Sequence, residues 1–573
     1  MLTAIKQIGD FYDIEAPSKR PLDAKVILIK VNTETQKYEG LEPEDFDSQK
    51  SDIYMFKEGR SKGNVPSPFC PLTEASRTLK KIQAWLNNCV KIKADNLSDS
   101  MPLVNEALNI IKSHKDSIIS DISQVSESIP KKTRKFLTLK INNKYPGQYQ
   151  IFKKSIEDMD ERKRKKSLSI GTCSICGSPN KEVSGTTDVF KFYTIDKPGF
   201  ITGGFKESDA WKNYPVCSDC KQSLERGKKF IEEHLNFRFY GLNYLLIPEL
   251  IIGDWTLFKD IVSVLAETKQ TFSLTEVIRR RLTDDESEIL EYLSSMNDTL
   301  AINFLFLQKQ QSAERILLLI EDVLPSRLKR LFDAKDYVDN TFGNGRDKGF
   351  NFGSLRVFFS KSDDNKKTQD LNKYFLDIVD NIFRGEKISL QFLMKFFMSV
   401  IRRAMINDDQ FNFSQFNFRV RDGLKTLLYL QFLGLTNIKE GNPMEKGLFE
   451  GFFERYGKTL NTPAIRAVFL LGVLTQLLLN KQYAERGSKP FLKKLKGLKM
   501  DENDVKKLLP EVQNKLEEYD SFDRGKRLIA SEASKYLLEA GNEWKMSADE
   551  INFYFACGMN LADEIAKITY QII

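Results

Sequence analysis

The sequence CSIC at Cys173–Cys176 is separated by 40 residues from a second pair, CSDC, at Cys217–Cys220. Each CxxC turn places two thiolates on one side of a tight knuckle, and two knuckles complete a tetrahedral four-cysteine site of the kind that holds structural Zn²⁺. Because all four ligands are thiolates, no position is open for catalysis by the metal. The residues between the pairs predict an inserted β-rich finger that includes Asp188–Ile195. The alternatives are a redox pair or ordinary reduced cysteines, and the doubled motif favours the metal.

The composition is that of a globular protein with several domains. The chain has 573 residues, of which 41% are hydrophobic and 29% are charged, and about 100–200 residues per domain predicts three to five domains. Seven cysteines, unevenly placed, are too few for a disulfide framework and indicate a reducing compartment. The only histidines are His114 and His234. Their positions exclude HExxH metalloproteases, which need two histidines on one helix, and no His-Asp pair of HD-type phosphohydrolases is present.

No segment predicts a membrane anchor. The amino terminus, Met1–Ile14, is short and amphipathic and does not resemble a signal peptide. The longest apolar run, Ala467–Leu479, has 13 residues, whereas a bilayer requires about 20. We therefore expect this run to be a buried helix, and the protein to be cytoplasmic and without a membrane partner.

The first part of the chain mixes strand and helix patterns. Lys25–Val31 and Asp52–Lys57 are predicted strands, and Glu58–Pro71 is rich in glycine, serine and proline and is predicted to be a loop. Helical periodicity extends from Thr73 to about Ser128.

From Glu225 onward the sequence is predicted to be mostly helical. The apolar stretches Leu242–Ile252, Leu300–Leu307 and Ile316–Leu324 are interpreted as helix faces. Ser547-Ala-Asp-Glu550 fits a capping box at the start of the final helix, where Gly558, Ala562 and Ala566 recur every four residues. Such a smooth stripe allows another backbone to come close.

The fold class predicted from these patterns is α+β and predominantly helical. Five regions are expected: a mixed α/β region (1–130), a basic segment (131–170), an inserted four-cysteine zinc module (171–224), a mainly helical middle region (225–440) and a C-terminal helical bundle (441–573).

Positive charge is concentrated in a few segments. Residues 131–170 contain 13 Lys or Arg and 4 Asp or Glu, a net charge of +9, and residues 481–499 contain 7 cations and 1 acid, a net charge of +6. Both segments are candidates for binding a phosphate backbone, and the alternative is a solvated helix face or linker. The glycine-rich loop at 59–64 is a weaker candidate. The candidate nucleic-acid-binding residues are Arg60, Lys62, Lys131, Lys132, Arg134, Lys135, Arg162, Lys163, Arg164, Lys165, Lys166, Lys493, Lys494, Lys496 and Lys499.

Sequence signatures of enzymes are mostly missing. The chain contains no GxxxxGK[ST] loop of NTPases. Asp23-Ala-Lys25 resembles half of a metal-dependent nuclease motif but has no paired acidic strand upstream, and Phe411–Phe418 is a better match to core than to a base-stacking surface. We therefore expect no catalytic residues.

Several segments together resemble one family over essentially the whole chain, the large subunit of type I-B CRISPR surveillance complexes (Cascade). The resemblance rests on the two Cys pairs around DVFKFYTIDKPGF (188–200), on IFRGEKISLQFLMKFFMSVIRRA (382–404), on FLLGVLTQLLLNKQYAERGSKPFLKKLKGLKM (469–500) and on WKMSADEINFYFACGMNLA (544–562). No single motif is diagnostic, and the number and order of the matches support the resemblance.

The resemblance implies a non-catalytic DNA-binding subunit. Members of that family contact the 5′ end of the CRISPR RNA, recognise the protospacer-adjacent motif in duplex DNA, begin strand separation and help recruit a helicase–nuclease. The implied partners are the CRISPR RNA, double-stranded target DNA and its displaced strand, the handle-binding, backbone and small subunits, and the helicase–nuclease. This division is physically reasonable, because RNA–DNA pairing reads the target while protein contacts read a short duplex motif.

The C-terminal bundle resembles the separate small subunit of such complexes. Met444 follows a possible boundary at Lys439–Pro443 and begins the last 130 residues, so an internal translation start there is a hypothesis. The alternative function, from a different class, is a metal-dependent nuclease or other nucleic-acid-processing enzyme with a structural zinc finger. A third possibility is a helical scaffold that contacts only protein.

Overall fold

The computed structural model describes most of the chain, in two units. The N-terminal unit comprises Leu2–Phe230 and Lys309–Arg315, and the C-terminal unit comprises Met1, Ile231–Gln308 and Ile316–Ile573. The described residues are 1–11, 24–47, 50–55, 66–91, 101–130, 133–185, 189–190, 192–193, 201–202, 206–252, 255–256, 258–259, 262, 299–310, 313–343, 349–407, 414–437 and 446–572, without the side chains of 156–163, 252, 299, 310 and 313.

A four-stranded sheet lies in the N-terminal unit. Its strands are β1 (Ala24–Asn32), β2 (Lys37–Asp45), β3 (Cys70–Pro71) and β4 (Arg134–Ile141), in the order β2-β1-β4-β3. Strand β1 is antiparallel to β2 and parallel to β4. The prediction of a strand at Lys25–Val31 is confirmed. Its apolar run is nearly continuous because Ile27 and Ile29 pack on one face and Val26 and Leu28 on the other.

Helices cover one face of this sheet. The helices of the unit that precede the cysteines are α1 (Leu2–Phe11), α2 (Ser51–Tyr54), α3 (Ala75–Val90), α4 (Met101–Ser113), α5 (Lys115–Ser128) and α6 (Gln150–Lys165). The helical prediction for Thr73–Ser128 is confirmed where that range is described. The strand predicted at Asp52–Lys57 is wrong over its described residues, 52–55, because residues 51–54 form α2, whose buried Tyr54 packs between Phe46 and Phe69. A short apolar run fits either element by periodicity alone.

The Cys region folds as a small antiparallel sheet followed by a helix. Strands β5 (Leu168–Gly171), β6 (Lys181–Ser184) and β7 (Val216–Cys217) lie in that order, and helix α7 (Ser218–His234) follows β7 directly. The basic segment 131–170 thus supplies β4, α6 and most of β5. Of the predicted finger strand at 188–195, the described residues 189–190 and 192–193 lie outside any strand.

A second four-stranded sheet lies in the C-terminal unit, apart from residues 309–315. Its order is β11-β10-β9-β8, formed by β8 (Asn236–Phe239), β9 (Leu242–Ile252), β10 (Thr299–Gln310) and β11 (Ala313–Val323). The helices predicted at Leu242–Ile252, Leu300–Leu307 and Ile316–Leu324 are therefore wrong, and these stretches are strands. Most residues of β9 and β10 are buried, and a continuous apolar run does not distinguish a buried strand from a buried helix.

The remainder of the C-terminal unit is helical, which confirms the α+β, predominantly helical class and the helical character of the last region. Its helices are α8 (Pro325–Phe342), α9 (Phe352–Arg356), α10 (Asn372–Arg384), α11 (Leu390–Asn407), α12 (Ser414–Phe432), α13 (Glu450–Arg455), α14 (Pro463–Arg486), α15 (Glu502–Glu518), α16 (Arg524–Ala540), α17 (Ala548–Asn560) and α18 (Ala562–Ile572). The five predicted domain boundaries stay a prediction.

Helix α14 forms the centre of this bundle. It is long and apolar enough to cross a membrane by length and composition, but 78% of its most apolar window is buried within the protein. The interpretation of Ala467–Leu479 as a buried helix is therefore supported by its packing.

The capping box predicted at the start of α17 is confirmed. The amide of Glu550 donates to Ser547 Oγ (3.2 Å), and the amide of Ser547 donates to Glu550 Oε2 (2.8 Å). The small-residue stripe is divided between two helices, because α17 ends at Asn560 and Ala562 begins α18. Gly558 alone of the three thus lies on the capped helix.

Two glycines allow α14 and α17 to touch backbone to backbone. A Cβ atom on Gly558 would lie 1.9 Å from the carbonyl oxygen of Phe469, and one on Gly472 would lie 2.1 Å from that of Phe555. The close approach predicted for Gly558 is therefore confirmed, and its partner is the middle of α14.

We predict that Gly558→Ala destabilises the C-terminal unit by at least about 1–3 kcal/mol, since the helices must separate to admit the methyl group. Hydrogen exchange of α14 and α17 amides measures the loss. Gly451→Ala is the matched control, because its Cβ would have no atom within 4 Å, and alanine there should stabilise α13 by about 0.5–1 kcal/mol. Equal exchange in the two variants would contradict the prediction.

Candidate metal centre and nucleic-acid interface

Four cysteine sulfurs converge at one point of the N-terminal unit. The Sγ atoms of Cys173, Cys176, Cys217 and Cys220 all lie within 4.8 Å of one another. Zn–S bonds of about 2.3 Å require sulfurs about 3.8 Å apart in a tetrahedron, so the four side chains fit a metal ion. Among the described residues this is the one group of three or more Cys, His, Asp or Glu side chains able to hold one.

The local fold explains the convergence. Cys173–Cys176 form the turn between β5 and β6, where the amide of Gly177 donates to the carbonyl of Cys173 (2.9 Å). Gly177 has φ +68°, a left-handed conformation that suits glycine. Cys217 ends β7 and Cys220 lies in the first turn of α7, and the pairing of Val183 with Cys217 brings the two CxxC turns together.

The four sulfurs differ in their surroundings. Cys173, Cys217 and Cys220 are buried, whereas Cys176 is exposed. The hydroxyl and amide of Ser178 hydrogen-bond to Cys176 and lower the pKa of its thiol to about 6, while burial raises the pKa of Cys217 and of Cys220. The amide of Cys217 also donates to Cys173 Sγ (3.4 Å). A bound cation would favour the thiolate form at every position.

Lys6 on α1 is a nearby cation that the sequence analysis did not identify. Burial alone would lower the pKa of Lys6, but its hydrogen bond to Asp10 and the charges of Cys220 and Cys176 raise it. Four thiolates around a divalent ion carry a net charge of −2, which a neighbouring ammonium group offsets. Lys6 is far from the cysteines in sequence, and no pattern in the sequence connects it to them.

Two glycines hold α1 against α7. A Cβ on Gly9 would lie 1.8 Å from the carbonyl oxygen of Ser223, and one on Gly227 would lie 1.9 Å from that of Ile5. Arg226 Nε donates to the carbonyl oxygen of Gly9 (2.8 Å). The first helix of the chain is thereby fixed to the helix that carries Cys220.

The candidate basic residues of the first half are partly engaged within the protein. Arg134 is exposed, but Lys135 Nζ donates to the carbonyl and hydroxyl of Ser126. Lys166 Nζ lies 3.3 Å from Glu207 Oε1, and Arg164 Nη2 donates to the carbonyl oxygen of Glu182 at 3.5 Å. Lys165 is exposed. The side chains of the other candidates lie outside the described residues: Arg60, Lys62, Lys131, Lys132, Arg162 and Lys163. Met444, the hypothetical internal start, also lies outside them.

In the C-terminal unit, Lys493, Lys494, Lys496 and Lys499 form an exposed cluster, here called the basic ridge. Two acids on helix α15 neutralise two lysines of the ridge. Lys494 Nζ lies 3.1 Å from Glu511 Oε2, and Lys496 Nζ lies 2.6 Å from Asp504 Oδ1. Within the part of the chain that the structure describes, Lys493 and Lys499 have no acidic partner.

Buried side chains alternate with the lysines and anchor the ridge. Phe491 is 4% exposed, and Leu495, Leu498 and Met500 are fully buried. The backbone is held from three helices. The amide of Phe491 donates to Gln482 on α14 (3.0 Å), Arg402 on α11 donates to the carbonyl of Leu498 (2.8 Å), and Asn552 on α17 bonds both backbone groups of Met500.

This anchoring gives the ridge a fixed shape. Lys496, Gly497 and Leu498 all have positive φ, an arrangement that persists only when the surrounding structure enforces it. Cations on a fixed backbone lose less freedom when they bind phosphates than cations on a mobile tail. The geometry suits contact with a nucleic-acid backbone.

Comparison with known protein families places this architecture in one of them. Three domain descriptions of the CRISPR-associated protein TM1802 match: the N-terminal domain at residues 1–158, the central domain at 170–323 and the C-terminal domain at 350–571. The chain belongs to the CRISPR-associated TM1802 family. The central domain of the family contains the four cysteines, and its C-terminal domain contains the basic ridge. A search of curated proteins gave no match.

Membership in the TM1802 family confirms that the protein is CRISPR-associated. A CRISPR-associated protein is expected to work with other proteins of that system and with nucleic acid, which agrees in coarser terms with the specific partners named in the sequence analysis. The assignment of this protein to a type I-B complex, and the individual roles of a large subunit, are proposals.

Proposed function

We propose that this TM1802-family protein is the non-catalytic large subunit of a type I-B RNA-guided DNA surveillance complex. In this role it contacts the 5′ end of the CRISPR RNA, recognises the protospacer-adjacent motif, promotes strand separation and helps recruit the helicase–nuclease. The family matches in all three parts of the chain support CRISPR association. The sequence resemblance to type I-B large subunits, and that of the C-terminal bundle to a small subunit, support the narrower role.

The basic ridge is the single structural observation that supports binding to DNA. It presents two lysines, Lys493 and Lys499, without acidic partners among the described residues, on a backbone fixed by buried apolar side chains. In such complexes guide pairing supplies sequence specificity, and the protein supplies contacts to the duplex motif and to the DNA backbone.

We further propose that the cysteine cluster binds Zn²⁺ in a structural role. Cys173, Cys176, Cys217 and Cys220 would hold it, and a tetrathiolate site supplies folding free energy and no catalytic position. Lys6, which also pairs with Asp10, would offset part of the negative charge of the complex.

The decisive experiment is reconstitution of the complex with guide RNA and a DNA library of randomised flanking bases. The proposal predicts selective binding of duplexes that carry one short flanking motif, and retention of that selectivity only when this chain is present. Binding without flanking preference would contradict motif recognition. Cleavage of DNA by the purified chain with Mg²⁺ or Mn²⁺, abolished by one Asp or Glu substitution, would instead support the nuclease alternative.

We predict that Lys493→Gln with Lys499→Gln weakens DNA binding and lowers the salt dependence. Each phosphate contact contributes about 0.9 to the slope of log K against log salt for duplex DNA, so the slope should fall by about 1.8. Filter binding between about 50 and 300 mM salt measures it.

The matched control is Lys329→Gln with Lys567→Gln, which removes the same charge from exposed positions on α8 and α18. An equal change in slope for both pairs would attribute the effect to net charge and contradict a specific role for the ridge.

A further inference from the structure

A cluster of aromatic rings reaches the surface of the C-terminal unit on α10 and α11. The ring centroids of Phe392 and Phe396 are 4.9 Å apart. The ring centroid of Tyr374 lies 5.9 Å from that of Phe392 and 5.5 Å from that of Phe396. Beneath them, fully buried Phe359 stacks on Phe392 at 15° between ring planes. Tyr374 is 41% exposed, and both phenylalanines are partly exposed.

Phe392 and Phe396 cover buried Phe359 from the outside and lie beyond the inward face of α11. Other residues fill the inward face of the helix. One of them is Phe397, whose ring centroid lies 4.3 Å from that of buried Phe358. Exposed apolar groups that lie together on a surface commonly mark a binding site.

Two exposed lysines lie beside the rings, with one exposed acid, Asp377, a turn after Tyr374. Lys373 precedes Tyr374 on α10, and Lys395 lies three residues after Phe392, on the same side of α11. Both lysines are exposed, and neither has an acidic partner among the residues that the structure describes. Arg403 lies on the same face of α11 as Phe392 and Phe396. Its Nε atom also forms an ion pair with Oδ2 of Asp364 at 3.6 Å.

The same helix leads from the rings to the basic ridge. Arg402, which holds the carbonyl of Leu498 in the ridge, follows Phe396 by six residues, a distance of about 9 Å along the helix axis. Arg402 points about 120° away from Phe396 around the helix and pairs with Asp549 at 2.7 Å, so the rings and the ridge are joined by one helix but lie on different faces of it.

We propose that Tyr374, Phe392 and Phe396 form a stacking platform for unpaired bases of a single-stranded nucleic acid. The backbone of that strand follows Lys373 and Lys395. Aromatic rings stack on bases of any sequence while cations track the phosphates, which is the usual chemistry of single-strand binding. The inference rests on the proposed function and adds to it a site for bases.

The test compares two oligonucleotides that differ only in their bases. The full-length protein is titrated into fluorescein-labelled dT15 and into a labelled abasic strand of the same length, at low salt, by fluorescence anisotropy. We expect Tyr374→Ala to weaken dT15 binding about fivefold or more, the effect of one lost base stack, and to leave the abasic strand unchanged. Tyr374→Phe should retain wild-type affinity, since it keeps the ring.

Two further variants test the remaining parts of the platform. Tyr570→Ala is the matched control, because Tyr570 is 52% exposed in the same unit and outside the platform, and its affinity should equal that of the wild type. Lys373→Gln with Lys395→Gln should weaken both oligonucleotides and lower the salt slope by about 1.4, the value for two contacts to a single strand.

The outcomes separate this inference from the proposed function. If Tyr374→Ala affects dT15 and the abasic strand equally, or neither of them, while Lys493→Gln with Lys499→Gln still weakens binding, the platform is wrong and the DNA-binding ridge stands. If the wild-type protein binds neither oligonucleotide, the platform is wrong, and the proposed function is then decided by the reconstituted complex and the flanking-base library. If Tyr374→Ala instead abolishes co-purification with other subunits and leaves dT15 binding unchanged, the surface is a protein contact and the platform is overturned.

Discussion

Replacing Cys173 or Cys217 by serine is expected to release the bound metal and unfold the module formed by β5, β6, β7 and the start of α7. The apparent binding free energy of structural zinc is about 10–16 kcal/mol near pH 7, comparable to the whole stability of a typical domain, about 5–15 kcal/mol. The three strands have two to four residues each, too little for a self-sufficient core. The two CxxC turns would therefore separate without the ion.

Metal content and hydrogen exchange measure this result. We expect about one zinc per wild-type chain, none in either variant, and faster exchange in residues 168–185 and 206–220. Cys70→Ser is the matched control, since Cys70 is also buried but donates to the carbonyl of Ser67 (3.4 Å), a bond that serine can keep. Full zinc occupancy in Cys173→Ser, or unchanged exchange after the metal is chelated, would refute a structural metal site.

The cysteine site could be predicted from sequence because its ligands form two local turns. Each CxxC spacing fixes two sulfurs by itself, and only the meeting of the two turns needed the sheet. The contribution of Lys6 could not be predicted in this way. It depends on the packing of α1 against α7 through Gly9 and Gly227, a long-range contact that leaves no pattern in either segment.

The same distinction explains the errors in secondary structure. Lys25–Val31 was predicted correctly because a short run rich in β-branched residues between polar flanks favours a strand. Leu242–Ile252 and Ile316–Leu324 are as apolar as a buried helix, and their strand pairing is decided by neighbours far away in sequence. Tertiary context therefore determined what local periodicity could not.

For the basic ridge, composition identified the segment but not which of its lysines are paired with acids. All four lysines look equivalent in sequence, and only the structure shows that α15 pairs Lys494 and Lys496 and leaves Lys493 and Lys499 without acidic partners among the described residues. Likewise, only the structure shows that Phe392 and Phe396 lie together with Tyr374 at the surface.

The second large effect is expected at a buried ion pair in the C-terminal unit. Arg466 on α14 is 4% exposed, and its guanidinium donates to both carboxylate oxygens of Glu450 at 2.7 Å and 3.0 Å. It also donates to the carbonyl of Leu460 and to the hydroxyl of Tyr536, and it lies 4.5 Å from the ring centroid of Phe453. One side chain thus joins α13, α14 and α16.

We predict that Glu450→Gln destabilises this unit by about 3–5 kcal/mol, because it leaves a buried guanidinium without its counter-charge. Hydrogen exchange of the central amides of α14, which open only with the whole bundle, measures the change. Glu454→Gln is the matched control, an exposed position on the same helix that should change the free energy of unfolding by less than about 0.5 kcal/mol. A loss in both variants of similar size would assign the effect to helix α13 and not to the ion pair.

The pH dependence gives an independent check of the same pair. Hydrogen bonds from Arg466 hold the pKa of Glu450 below its ordinary value, so the carboxylate stabilises the fold above the unfolded-state pKa of about 4.3, and this stabilisation is lost as the pH falls through the lower, folded-state value. The difference in stability between the wild type and Glu450→Gln should therefore be full at pH 7 and shrink below about pH 4, as the protonated carboxyl comes to resemble the amide. A difference that stays constant down to about pH 3 would show that the charge of Glu450 does not contribute, and that the variant acts through packing alone.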